Sequence, residues 1–393
     1  MKNNSRQLND MWMRHAAAWR DTAQVSSQWR EAGLTDPRLL ESRVTRGWWP
    51  TLRKLGITLF VTREYEHLVL AFSALHGRPR ITFFPMPHPS GLAVDRRAGK
   101  VYIASTRNPN QIYAFKPLAH LLARSDVRLP SKPGSPLMPV TSTYYPGSLY
   151  IHDLAVVGGE LHANAVGHNA VIRLGQGNCF ERVWWPKCIE VNGTPIFTRN
   201  HIQLNSIAAG NTLAQSYFSA SSDHIGRFRP GHLNYPVDGR GVIFSGATRE
   251  PICRGLTRPH SARLWKKDIW VDNSGYGEVG FVRNGRLQVI SKLPGWTRGL
   301  CILENVAFVG TSRIIPKFAR YAPGLDPASS VCGVHAVCCK TGAVLGSLEW
   351  PYGNQIFSLD WIHSSVTTGF PFGTRYRNLG RERVLFYGYF NQG

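Results

Sequence analysis

Six short segments of the chain repeat one hydrophobic pattern, a small or polar residue followed by an apolar pair: Ser90-Gly91-Leu92-Ala93, His152-Asp153-Leu154-Ala155, Asn205-Ser206-Ile207-Ala208, His260-Ser261-Ala262, Arg298-Gly299-Leu300-Cys301 and Phe357-Ser358-Leu359. They recur about 40 to 60 residues apart, the period of a four-stranded blade in a β-propeller. Each segment reads as the innermost strand of a blade. Every innermost strand starts beside the central axis, so the first residues of the segments converge although they are far apart in sequence. Those residues are Ser90, His152, Asn205, His260, Arg298 and Phe357. Two imidazoles, an amide and a guanidinium are therefore expected at one mouth.

The stretches that follow read as strand, polar turn, strand. Examples are Ser105-Thr106-Arg107-Asn108 before Gln111-Ile112-Tyr113-Ala114-Phe115, Val61-Thr62-Arg63-Glu64 before His67-Leu68-Val69-Leu70-Ala71-Phe72, and Val309-Gly310-Thr311-Ser312-Arg313. By the same spacing His168, Asp223, His224 and Asn273 fall at the turn after a second strand. Up-and-down strands return that turn to the end where the inner strand begins. A second ring of Arg63, Arg107, His168, Asp223, His224, Asn273 and Arg313 is thus expected around the first. The strands around Ile57, Leu68 and Ile81 have no inner strand before them, and the Phe357 segment has no outer partners after it. The two ends are expected to share one blade, which closes the ring without a sheet edge. The run Val384 to Phe390 is a candidate for a further strand of that blade. The fold class is all-β, a six-bladed propeller over residues 51–393. Residues 1–50 read as a short helical extension, because Trp12, Ala16, Trp19 and Trp29 recur among Arg, Gln and Ala before Gly33 and Pro37.

Composition narrows the class. At 393 residues the chain exceeds a usual single core, but a propeller spreads burial over small inter-blade cores. Its 38 Gly and 25 Pro suit tight turns more than long helices. No apolar stretch approaches the roughly 20 residues needed to span a bilayer, and the polar first residues lack the apolar core of a secretory signal. A cytoplasmic protein is expected. Seven cysteines in a chain of this size do not make a disulfide framework, although Cys179 and Cys188 flank a turn across which they could pair. The net charge of +22 invites a nucleic-acid reading. Its arginines are scattered, however, with no basic tail and no nucleic-acid motif, and an anionic small molecule is the better-fitting partner.

Gly275-Tyr276-Gly277-Glu278-Val279-Gly280 matches the dinucleotide fingerprint G-x-G-x-x-G. That chemistry needs a helix after the glycines to hold a pyrophosphate. The sequel, Phe281 to Val289, reads as a hairpin instead. The same block, with Ile151-His152-Asp153-Leu154-Ala155, Gly255-Leu256-Thr257-Arg258-Pro259-His260-Ser261 and Leu293-Pro294-Gly295-Trp296-Thr297-Arg298-Gly299-Leu300, resembles an uncharacterised bacterial family known only as a domain of unknown function. The resemblance covers most of residues 55–365 and implies no activity. Members of that family often carry a histidine just before the Leu-Asn of the third segment, where this chain has Gln203 and, two residues earlier, His201. A looser likeness is to lactonase-type six-bladed propellers, which hold a divalent metal at the axial mouth on carboxylates and amides.

Imidazole suits zinc, copper and iron, and two or three histidines with open positions make a reactive metal centre. His152, His260 and Asn205 are the expected ligands, with His88, His168 and His224 as candidates to complete the set. The shortage of carboxylates argues against calcium or magnesium. Asp153 is a candidate to orient or assist His152, and Arg298 to act at the reacting group. Arg63, Arg107, Arg298, Arg313 and Asn273 are candidates to hold a carboxylate or phosphate through forked hydrogen bonds. Three function classes follow: a metal-dependent enzyme, oxidative or hydrolytic, acting on a small anionic or peptide-like substrate; a non-catalytic propeller binding such a ligand; and an assembly platform.

Overall fold

The computed structural model describes residues 32–33, 35–74, 77–106, 110–129, 135–145, 147–374 and 379–391. The helices expected between Asp10 and Arg30 lie outside the described residues, as does Arg107. Six antiparallel sheets form the blades. From the axis outward they are Pro89–Asp95, Lys100–Ser105, Gln111–Pro117 and Leu137–Tyr144 (blade I); Ile151–Val157, Glu160–Ala165, Ala170–Leu174 and Phe180–Trp184 (II); Leu204–Ala208, Tyr217–Ala220, Gly241–Ser245 and Pro251–Leu256 (III); Pro259–Trp265, Asp268–Asn273, Glu278–Arg283 and Arg286–Lys292 (IV); Trp296–Leu303, Val306–Ser312, Gly333–Cys338 and Val344–Glu349 (V). Blade VI joins Ser358–His363 to Ile57–Arg63, Leu68–Ser73 and Arg80–Pro85. The two ends of the chain are paired there from Ile57 with His363 to Thr62 with Ser358.

The burial of each strand follows its place in the stack. Sheets packed face to face bury both faces, so the central strands are near-continuous apolar runs, and Ile57–Arg63 and Leu68–Ser73 are buried throughout. At the rim, Arg286–Lys292 is mostly exposed and correspondingly polar. One apolar cluster fills each interface between neighbouring blades. Leu154, Ala163 and Ile172 meet Ala93 and Ile112 between I and II, and Phe218 and Phe244 meet Val171 and Trp184 between II and III.

The amphipathic helix Trp48–Leu55 buries Trp48, Leu52 and Leu55 and stops at Gly56, whose φ of 63° is left-handed. Trp48 packs edge-on against Phe72 of blade VI and Phe308 of blade V, locking the blade that closes the ring to its neighbour. Arg43–Val44 adds a fifth strand outside blade V, and Phe372–Gly373 one outside blade VI. The run from Val384 is not a strand of the closing blade. Leu379–Gly388 is helical, and only Tyr389–Asn391 is extended, paired with Leu121–Ala123 outside blade I. All seven cysteines are free, so Cys179 and Cys188 are not bridged. The glycine-rich stretch is a tight turn, Ser274–Tyr276, ahead of the hairpin of blade IV. Among the described residues no helix is long and apolar enough to cross a membrane.

What the repeated segment encodes is a bulge. In the innermost strands of blades I to V the register with the second strand shifts between Pro89 and Leu92, Ile151 and Leu154, Leu204 and Ser206, Pro259 and Ala262, and Thr297 and Leu300. A bulge breaks the in-out alternation and re-aims a side chain. In blades II to V it accompanies a first residue that faces the axial cavity.

Candidate functional site

The bulges bring four of the six first residues, His152, Asn205, His260 and Arg298, onto the wall of one cavity of about 630 Å³. All four are buried. Phe357 is a contact common to three of them: the His152 and His260 rings stand edge-on to it at 5.4 and 5.5 Å, and the Arg298 guanidinium lies 3.4 Å over its centre. The two imidazoles face each other, 5.8 Å apart and 25° from parallel. Ser90 does not reach the cavity. Its hydroxyl donates to the Ala104 and Ile151 carbonyls and braces blade I against blade II.

A second tier lies two residues upstream of the first. Tyr150, Gln203, Arg258, Trp296 and Gln355 occupy that position in blades II to VI, and all five line the cavity. Tyr150, Gln203 and Arg258 have left-handed backbones, with φ of 53°, 51° and 54°. Non-glycine residues held this way concentrate at functional sites. The sequence reading misses this tier because its members share no chemistry, yet the repeat register marks them as plainly as it marks the first. Glu64 and Tyr65, from the turn after Arg63, complete the blade VI side.

Two long insertions roof the sector over blades III to V. Residues 221–240 contribute Arg229 and Gly231, and 313–332 contribute Phe318 and Tyr321. Tyr235, Val237 and Tyr321 form a small apolar core between them, with Phe228 and Phe318 packed on it. Arg320 ties the two by donating to the Gly231 and His232 carbonyls. Arg258 stands under this roof, its guanidinium 4.4 Å over the Tyr321 ring and donating to the Pro230 carbonyl at 3.2 Å.

The electrostatics are lopsided. Arg199, Arg229, Arg258 and Arg298 line the cavity, against a single carboxylate, Glu64. Gln355, with its amide oriented to satisfy both neighbours, accepts from Arg298 at 2.6 Å and donates to Glu64 at 3.2 Å. Burial pushes the Arg298 guanidinium down to about 10, and it also lowers that of Arg258. Burial, then the neighbouring charge of Arg298, holds His260 well below the usual imidazole range, so it is uncharged.

Several expected members are elsewhere. Asp153 turns away from the cavity and forms a two-pronged pair with Arg263, at 2.8 and 3.2 Å, while accepting the Ile207 N–H. Arg63 is fully buried under the N-terminal segment, donating to the Leu39 and Tyr352 carbonyls over the Trp350 ring. Arg313 donates to the Trp350 carbonyl and lines a small side pocket. Asn273 accepts the Thr257 N–H and donates to Glu278, setting the approach to Arg258. His88 meets His67 edge to face, His168 accepts from Arg182, and His224 pairs with Asp223. None of these three lines the cavity.

That leaves two imidazoles and Asn205 as donors for a metal. The Asn205 amide already donates to Ser221 and the Pro259 carbonyl. Among the described residues no three His, Cys, Asp or Glu side chains are grouped to hold an ion. A cation would also sit against Arg258 and Arg298. A transition metal on these two imidazoles would need the rest of its coordination positions filled from outside the protein.

Six sheets around one axis, with a polar cavity where their inner strands begin, define a six-bladed β-propeller with an axial site. The chain belongs to the family described as domain of unknown function (DUF4915), whose profile matches residues 46–369. Comparison with curated proteins finds none that matches. Among solved structures, the nidogen/laminin complex is similar with a TM-score of 0.51 and 9% identity, covering 79% of this chain and 100% of that one. A gluconolactonase of Xanthomonas campestris is similar at 0.44 and 11%, covering 77% and 87% of the two chains. Streptogramin B lyase is similar at 0.39 and 13%, covering 76% of each. At these identities the likeness concerns the fold.

Proposed function

We propose that the protein binds a small organic anion in the axial cavity and hydrolyses it, with Arg298 and Arg258 fixing the anion and His260 moving the proton. One observation carries this reading. Arg298, Trp296 and His260, all lining the cavity, each keep a buried side-chain nitrogen with no hydrogen-bond partner. Buried polar atoms are almost always paired, and each orphan costs about 1–3 kcal/mol. Three of them around one cavity are accounted for if ligand entry turns these side chains toward it and supplies acceptors to Arg298 and Trp296 and a proton to His260.

The chemistry follows from the charge states. An uncharged imidazole beside two guanidiniums is a base held ready. His260 Nε2 takes a proton from water, the water oxygen adds to the substrate's acyl carbon, and the Arg298 guanidinium stabilises the oxyanion. When the bond to the leaving group breaks, that group takes the proton back from His260, whose charge the neighbouring arginines disfavour. His152, stacked opposite, orients the substrate against the Phe357 floor.

The test uses the full chain and a panel of carboxylated esters and lactones. Replacing His260 by Asn is expected to leave ligand affinity within about threefold and remove turnover, whereas Arg298→Gln lowers affinity and turnover together. Binding without turnover in the wild type would leave the non-catalytic, ligand-holding propeller. The alternative of a Cu, Fe or Zn ion on His152 and His260 is supported by the mutual approach of the two rings and by the uncharged state of His260. Titration of the purified chain with each metal decides it: a stoichiometric metal that disappears in both His152→Ala and His260→Ala would displace the metal-free mechanism.

A further inference from the structure

We infer that the ligand of this cavity is two-headed: a small organic dianion, with one anionic group held at Arg298 beside Trp296 and the other at Arg258 beneath the roof formed with Arg229. The inference rests on the anion-binding reading above and specifies its substrate class.

The geometry separates two cationic poles. Arg298 belongs to the lower tier, on the inner strand of blade V, braced by the Phe357 ring beneath it and by Gln355. Arg258 belongs to the upper tier, two residues ahead of the inner strand of blade IV, braced by Tyr321 and the Pro230 carbonyl. Each guanidinium is fixed by an aromatic face and a neutral acceptor. Among the described residues neither is in an ion pair, whereas the half-buried Arg263 farther along the same channel is paired by both prongs to Asp153. One monoanion can neutralise one pole. The second would stay desolvated and uncompensated, beside a like charge, which is the arrangement buried charges avoid. Arg229 and Arg199 also line the cavity, so after Glu64 the lining holds a surplus of three positive charges, four arginines less one carboxylate. The volume between the poles, about 630 Å³, is ample for a ligand of metabolite size, and Tyr65, Tyr150 and Trp296 offer faces for its apolar or unsaturated body.

The experiment is calorimetric titration of the full chain with matched pairs: pentanoate against glutarate, and benzoate against terephthalate. Each dicarboxylate is expected to bind at least tenfold tighter than its monocarboxylate partner at low salt. Arg258→Gln should weaken the dicarboxylate far more than the monocarboxylate and so cut the preference to threefold or less, and Arg298→Gln should weaken both members of a pair tenfold or more. Because Arg258 also holds the roof, Arg258→Lys and Arg229→Gln are measured beside it with thermal melts: the lysine keeps the preference, and Arg229→Gln reduces it without changing the melting temperature. Equal affinity for the two members of each pair, or equal loss for both in Arg258→Gln, would overturn the two-headed ligand and leave the anion site standing. Binding of none of the four acids by the folded wild type would overturn both.

Discussion

The same six inner strands open at two ends, and the two ends treat charge in opposite ways. At the end where the strands begin, the cavity collects Arg199, Arg229, Arg258 and Arg298 against Glu64. Three to four residues farther along, the strands line a second hollow of about 320 Å³ that contains Arg96, Arg263 and Asp360. There every one of these arginines has a carboxylate: Arg263 is paired with Asp153, and Arg96 with Asp360 while lying 4.2 Å over Trp361. The far end is a set of balanced charges that ties five of the six blades together, I with VI and II with III and IV. The near end is left unbalanced in the same scaffold, and the proposed anion site rests on that imbalance.

That contrast is broken most severely by cutting the far-end pair. Asp153 is buried, and its carboxylate both holds Arg263 and accepts the Ile207 N–H, linking blades II, III and IV. Burial works against the Arg263 charge, and Asp153 outweighs it, keeping the guanidinium above its ordinary value. Asp153→Asn would strip the half-buried Arg263 guanidinium of its partner carboxylate and leave it only the more distant charge of Asp360, and breaking such a pair at a buried carboxylate costs about 3–5 kcal/mol. Urea unfolding should report this loss, with anion affinity at the other mouth unchanged. An Asp153→Asn variant as stable as the wild type would show that the pair does not hold the ring.

A second, somewhat smaller effect is set by pH. His335, between Thr311 and Ser347 in blade V, is buried and pushed down to about 4. An unfolded imidazole titrates near 6.5. Between those values the unfolded chain takes up a proton that the folded chain refuses, so stability falls as pH falls from about 6.5 to about 4 and levels off below. At about 1.4 kcal/mol per pH unit, this amounts to roughly 3 kcal/mol. The difference between wild type and His335→Gln isolates this imidazole from Asp272, whose carboxyl burial raises and which titrates with the opposite sign. Melts at pH 7 and pH 4.5 should show the variant less sensitive to acid than the wild type; equal sensitivity would refute the assignment.

How much of this was legible in the sequence follows from the same strands. The first-position register predicts the ring, its closure through the N-terminal strands, and the meeting of His152, Asn205, His260 and Arg298. A one-residue bulge repeated five times leaves a visible spacing. The outer ring fails because a residue at a hairpin end can turn either way. Arg63 turns under residues that the pattern sets apart as a separate extension, where Leu39 and Tyr352 offer carbonyls. Asp153 fails for a related reason: it sits inside the bulge next to His152, where alternation does not decide its direction, and its carboxylate points to Arg263 at the far end. The insertions that roof the cavity carry no repeat, so Arg229, Phe318 and Tyr321 leave no pattern to read. The run from Val384 misleads because Val, Leu, Phe and Tyr suit a buried face in either conformation, and packing of Leu385 and Tyr389 against Leu118 and Met138 chooses the helix.

The smallest effect is also the one whose sign separates the two ends. Arg298 is 5% exposed, has no carboxylate at ion-pair distance among the described residues, and keeps its Nε without a partner. A group in that condition lowers the stability of the folded chain while it waits for a ligand. Replacing a buried, unpaired charge by an apolar side chain of similar length is commonly neutral or stabilising by about 1 kcal/mol. Arg298→Met keeps the packing on Phe357 and should raise the melting temperature by a few degrees or leave it unchanged, with anion binding lost. Arg263→Met at the far end, which strands Asp153, should lower it. Differential scanning calorimetry of the two variants at neutral pH reads both signs in one experiment. A clear drop in both would mean that Arg298 is a structural brace and that the near mouth is balanced after all.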